Sequence, residues 1–225
     1  DTRGGKVEMV APIDTSGSMN AEWADMCVVF YGGQFVSGGS FEGLKPMLLR
    51  ANMTVYETLY ALSGNWPSAA TSGNCAAAYQ TGGSGSQGPR ATPLGQSPGD
   101  DSGGIRELTE VVYNNAAVSL PQDGGYYSEF WGPGSTWACL SWRDASNNVP
   151  GNPPTVLDHR WNPNATKIVI PISDEGPYGG DPAQQSDDTQ SINEAHDACV
   201  IAGIIPVPLL AAGFSGGSGS TPVGS

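Results

Sequence analysis

The chain has 225 residues with 22 acidic against 9 basic side chains, a net charge of −13, which excludes a general affinity for nucleic acid or for an anionic membrane surface. That length suits one α/β domain with a single sizeable core and argues against a second full domain. Only 14% of residues are charged, beside 32 glycines and 18 prolines, so the surface is built largely from Ser, Thr, Asn, Gln and Gly, unlike that of a typical cytosolic enzyme.

In chain order, Val7 to Ile13 is a mostly apolar run that stops at Asp14 and reads as a buried strand ending in a polar loop. Trp23, Met26, Cys27, Phe30 and Tyr31 then fall on one helical face, which Gly32-Gly33 ends. A looser stretch with Gly38-Gly39 and Pro46 follows. Met53 to Leu62 reads as a second strand from its alternation and aromatic content. Residues 65–104 are rich in Gly, Ser, Pro and Ala and read as an insertion, either functional or held by Cys75. Ile105, Leu108 and Val112 have the spacing of a helix over 105–117, stopped by Pro121. A polar loop then leads through Pro133 into a short helix carrying Trp137, Cys139 and Trp142.

After a proline-rich loop, Thr166 to Ile172 reads as a strand that delivers Ser173, Asp174 and Glu175 at its end. Asp187 and Asp188 are placed to cap a helix running through Cys199 to Ala202. Gly203 ends it, and Ile204 to Leu210 reads as a final buried strand. Strands alternating with helices imply a doubly wound, mainly parallel sheet flanked by helices, a Rossmann-like α/β arrangement over residues 1–214. Residues 215–225 read as a Gly/Ser-rich linker.

The chemistry concentrates at strand ends. Asp14, Ser16 and Ser18 form an Asp-x-Ser-x-Ser set, offering a carboxylate and two neutral oxygens from one turn, a donor set that suits a hard divalent cation. Asp, Ser and Gly are also ordinary turn and cap residues. Ile13-Asp14-Thr15-Ser16-Gly17-Ser18-Met19 resembles the opening of the metal-ion-dependent adhesion site of von Willebrand factor type A domains. Lys167 to Gly176, Lys-Ile-Val-Ile-Pro-Ile-Ser-Asp-Glu-Gly, is similar to the strand and loop that complete that site. The resemblance implies Mg2+, with Mn2+ or Ca2+ as substitutes. Ser16 and Ser18 would bind it directly, Asp14 and Asp174 would hold its waters, and an open position would take a partner's carboxylate. The family's middle loop supplies a threonine, and no Gly-Thr-Asp triplet occurs here. Ser128 or Glu129 is the positional substitute, with Thr92 a third candidate. The family's usual last strand and helix are weak or absent.

Other groups are weaker candidates. Glu175 reads as a solvated carboxylate. Asp181, Asp187 and Asp188 suit calcium less well than helix capping explains them. His159 and His196 lack a nucleophile partner. Trp131, Trp137 and Trp142 read as packing rather than a carbohydrate platform. Asn52 and Asn164 open glycosylation sequons, which are common by chance.

Four cysteines without a Cys-x-x-Cys pair or a histidine cluster point to two disulfides and an oxidising setting, not to zinc. In a doubly wound sheet the helices before and after the Thr166 strand share a face, which pairs Cys139 with Cys199 and leaves Cys27 for Cys75. No apolar run is long enough to span a bilayer, and Asp1-Thr-Arg-Gly-Gly is not a signal peptide, so a mature, processed chain is expected.

The resulting expectation is a non-catalytic, extracellular or cell-surface binding domain of prokaryotic type that engages a protein ligand or neighbouring subunit through a carboxylate. The alternative is a structural subunit of a surface filament or pilus-associated assembly, with homo-oligomers. An aspartate-nucleophile phosphatase would need an acid two residues after Asp14, where Ser16 stands.

Overall fold

The computed structural model describes residues 4–20, 22–62, 105–108, 110–120, 126–140, 161–178 and 186–210. At its centre lies β1, Lys6–Ile13, whose side chains are buried at every position after Lys6. β1 pairs in parallel with β4, Thr54–Leu62, on one side and with β8, Thr166–Val169, and β9, Ile172–Ser173, on the other. Beyond β4 lies β5, Ile105–Leu108; beyond β8 and β9 lie β10, Ile205–Pro206, and β11, Leu209–Leu210, and all these pairings are parallel. The chain leaves β1 toward β4 and later returns on the other side, so the order reverses beside β1.

Among the described residues, four helices cover both faces. Helix α1, Glu22–Tyr31, and α2, Leu44–Arg50, lie on one face, where Met9, Ala11 and Ile13 of β1 meet Trp23, Cys27 and Phe30. Helix α3, Trp131–Leu140, and α4, Ser186–Ala202, lie on the other, where Val10 meets Trp137, Cys139 and Cys199. The alternation of β1 between two apolar layers is what a doubly covered parallel strand requires. Trp23, Trp137 and Trp161 are fully buried, so Trp137 belongs to packing; Trp142 lies outside the described residues.

Prolines break the ladder near the strand ends. Ile170 donates its N–H to Val10 O and Asp14 donates to Ile172 O; the rung between belongs to Pro12, which has no N–H. Likewise Val207 donates to Val169 O and Leu209 to Pro171 O, and the rung between falls to Pro171. These gaps separate β8 from β9 and β10 from β11.

Sequence expectations and structure part in three places. The helix expected over 105–117 is instead β5 followed by an antiparallel hairpin, β6 Glu110–Tyr113 and β7 Ala116–Ser119. Asn114 and Asn115 take left-handed φ values of 50° and 56°, the two-residue turn that asparagine tolerates, and the β-branched Val111, Val112 and Val118 suit strands. The looser stretch holds a two-residue hairpin, β2 Gly33–Gln34 with β3 Ser40–Phe41, and the short helix α2. The last strand is an edge rather than a buried one, with Ile205 51% and Val207 41% exposed.

Cys139 and Cys199 are disulfide-bonded across α3 and α4, their Cα atoms 4.9 Å apart. Cys27 is also in a disulfide; its expected partner, Cys75, lies outside the described residues, as do most of the insertion and the linker. Among the described residues no helix is long and apolar enough to cross a membrane. On the α1 and α2 face, buried Glu57 of β4 pairs with Lys45 at 2.5 Å.

Candidate metal centre

The crevice beside β1, where the strand order reverses, is where ligands of open parallel sheets bind. Asp14 follows β1 and Asp174 follows β9, so the two carboxylates flank that crevice. Asp14 is fully buried. Its Oδ1 accepts the Ser16 N–H at 2.7 Å, a turn in which the side chain stands in for a backbone carbonyl, and its Oδ2 accepts the Ser173 hydroxyl at 2.6 Å. The loop is pinned from both sides, since Thr15 Oγ1 donates to Leu62 O at the end of β4 and Trp23 Nε1 donates to Asp14 O at 3.2 Å.

The hydroxyls of Ser16 and Ser18 lead from the Asp14 loop to Asp174. Ser18 Oγ donates to Asp174 Oδ1 at 3.1 Å. Its single proton is thereby committed, so the 2.7 Å contact between Ser16 Oγ and Ser18 Oγ is donated by Ser16. Asp14, Ser16, Ser18 and Asp174 thus converge, although 156 residues separate Ser18 from Asp174. Ser18 is exposed while Ser16 and Asp174 are buried, so the set opens to solvent on one side.

Ser173 joins the set, and the sequence reading passed over it. A hydroxyl at the last position of a strand, next to an aspartate, was the available signal. Alternation sends neighbouring side chains apart, and here both directions are used, one toward Asp14 and one toward Ser18.

Helix α3 buttresses the second loop. Trp131 Nε1 donates to Glu175 O at 3.0 Å, and Gly132 N donates to Pro177 O at 2.9 Å. A Cβ on Gly132 would lie 2.7 Å from Ser191 Oγ and 2.9 Å from Pro177 O, so only glycine permits this approach. Glu129 closes the turn Tyr126–Glu129 just before α3 and is buried. Ser128 lies in that turn, and Thr92 is outside the described residues. Among the described residues no three carboxylate, imidazole or thiolate groups gather around a common cation position. The convergent set is therefore two carboxylates with three hydroxyls.

The remaining candidates take structural places. Asp188 Oδ1 accepts the Tyr178 N–H at 3.0 Å and Asp187 Oδ1 accepts the Asp188 N–H at 3.1 Å, which ties the second loop to the start of α4. Asp181 and His159 lie outside the described residues. His196 is exposed beside Asp197. Glu175 contributes its backbone to Trp131 and Ser173.

Burial, joined to a smaller degree by the charge of Asp174, pushes Asp14 up from 3.8 to about 6, against the pull of Ser173 and Ser16. Among the described residues neither Asp14 nor Asp174 forms an ion pair. A buried carboxylate without a cation, beside a chain of hydroxyls that ends on a second carboxylate, has the donor chemistry for Mg2+ or a similar hard ion. Ser16 and Ser18 would supply neutral oxygens, and Asp14 and Asp174 the charge.

A pH dependence follows. With the folded value above the unfolded one, the contribution of Asp14 is fully present below about pH 4 and is lost as pH rises through about 6. Urea unfolding in EDTA should show the wild type losing about 2.5 kcal/mol relative to Asp14→Asn between pH 4 and pH 8. A constant difference between the two proteins across that range would contradict the uncompensated burial of Asp14.

No family model, no curated protein and no solved structure matches the chain. The α/β sheet and the oxygen cluster at its reversal point therefore carry the functional argument.

Proposed function

We propose that this chain is a metal-dependent binding module of the von Willebrand factor type A kind, in which a divalent cation held by Asp14, Ser16, Ser18 and Asp174 captures a carboxylate of a partner protein. The single observation that carries the reading is the hydroxyl chain from Ser16 through Ser18 to Asp174 beside buried Asp14, which forms no ion pair among the described residues. When bound, the cation would supply an electrophilic centre for the partner's carboxylate. The chain's own oxygens fix its position, and the buried loops around them keep those oxygens from relaxing. The module is non-catalytic and extracytoplasmic in this reading, consistent with the disulfide between Cys139 and Cys199.

Water-proton relaxation with Mn2+ tests it. Wild-type protein should enhance relaxation in proportion to bound Mn2+, and acetate should lower that enhancement by displacing metal-bound water. Ser16→Ala should bind Mn2+ at least about tenfold more weakly, the loss of one ligand. Equal Mn2+ binding by both proteins would overturn the assignment, and binding unaffected by acetate would overturn the carboxylate part of it.

A further inference from the structure

The two sequons, Asn52-Met53-Thr54 and Asn164-Ala165-Thr166, take equivalent places in the fold. Each ends on the first residue of a strand, Thr54 of β4 and Thr166 of β8, and these strands flank β1 on its two sides. In the parallel register Thr54 lies opposite Lys6 and Thr166 opposite Val7, so both asparagines stand just outside the strand starts. Two steps of strand spacing put them about 10 Å apart. Asp14 follows the other end of β1, a strand of 8 residues, which places the candidate metal centre about 25 Å away.

Local structure presents both triplets. Asn52 takes a left-handed φ of 60° and donates its N–H to Leu49 O at 3.0 Å, while Thr54 N–H donates to Gly5 O at 2.9 Å. Asn164 lies in a turn closed by Asn162, whose Oδ1 accepts the Asn164 N–H at 2.9 Å and whose O accepts the Ala165 N–H at 3.2 Å. In each triplet the asparagine and the threonine are exposed and the middle residue is half-buried. Chance scatters such triplets over buried and exposed positions alike; here both reading residues of both triplets face solvent, at one end of the sheet. Beside Asn52, helix α2 leaves Met47 40% and Leu49 51% exposed, apolar surface that a bulky hydrophilic chain would cover.

We propose that Asn52 and Asn164 both carry N-linked glycans, which coat the end of the sheet opposite the candidate metal centre and leave the Ser18 side open. In the transfer the side-chain amide nitrogen bonds to the anomeric carbon of an oligosaccharide carried on a polyprenyl diphosphate. The bond from that carbon to the diphosphate oxygen breaks, the polyprenyl diphosphate departs and the amide gives up one proton; nothing is oxidised or reduced. The inference goes beyond the binding reading. It shares with it only the extracytoplasmic setting that the Cys139–Cys199 disulfide suits, and it needs no metal.

The test offers the folded, disulfide-intact full chain to a purified oligosaccharyltransferase that reads Asn-x-Ser/Thr, with a polyprenyl-diphosphate oligosaccharide as donor. Intact mass should rise by two glycans per molecule. Asn52→Gln and Asn164→Gln should each remove one, and so should Thr54→Ala and Thr166→Ala, whereas Thr54→Ser and Thr166→Ser should keep both. Release by peptide-N-glycosidase in heavy-oxygen water should mark the two asparagines as labelled aspartates. Ser16→Ala should accept both glycans, so a failed metal site and a failed glycan site give separate results. Modification of one asparagine alone, of the reduced and unfolded chain alone, or of neither position would overturn the proposal.

Discussion

Saturating Mg2+ or Mn2+ is expected to raise the melting temperature of the wild-type protein by about 5–10 °C, and to leave Asp14→Ala and Ser16→Ala nearly unmoved. A ligand at a hundredfold excess over Kd adds about 2.7 kcal/mol, and a domain of this size gains about 2–4 °C per kcal/mol. The increment on adding metal is the quantity to read, because each substitution also shifts the metal-free baseline. Asp14→Ala strips acceptors from Ser16 N–H and Ser173 Oγ, whereas Ser16→Ala removes one neutral oxygen and leaves both carboxylates. Differential scanning fluorimetry with and without EDTA measures all three proteins. An increment in Ser16→Ala equal to that of the wild type would remove the loop from the metal site.

Replacing Cys139 and Cys199 together by alanine is expected to cost about 4 kcal/mol, or about 8–16 °C in melting temperature. The bond closes a loop with a sequence separation of 60, and a loop of that length leaves much entropy to the unfolded chain once it opens. A second effect should accompany the first. Helix α3 holds the loop after β9 through Trp131 and Gly132, and α4 holds it through Asp188, so uncoupling the two helices should also lower affinity for metal at the proposed site. Urea unfolding and Mn2+ titration of the double variant separate these effects. A variant as stable as the wild type would show that packing between α3 and α4 alone fixes them.

That the loops after β1 and β9 meet was legible in the sequence because each is a short run of small oxygen-bearing residues placed directly after an apolar run. Burial fixes the strand, and the strand's end fixes where Asp14 and Asp174 stand. The contribution of Ser173 was not legible, since a serine closing a strand has no distinguishing spacing and acts only through Asp14, far away in the chain. The stretch after residue 105 misled for another reason. Ile105, Leu108 and Val112 match a helical period, but the period counts only where the backbone can continue, and Asn114-Asn115 turns it back on itself. Helix α2 escaped notice because it is short, buries none of its residues fully and carries Pro46.

The outer margin of the sheet has a bearing on how copies of this chain could join. Residues 207 and 209 direct their amides inward, so the outward amide positions of that margin fall at 206 and 208, and both are prolines. From Ile205 to Leu209 a strand arriving from another molecule would meet carbonyl oxygens but no N–H partners. Growth by zipping backbones together is disfavoured along this side, and any higher-order array must be stitched through side chains or grow from elsewhere on the molecule.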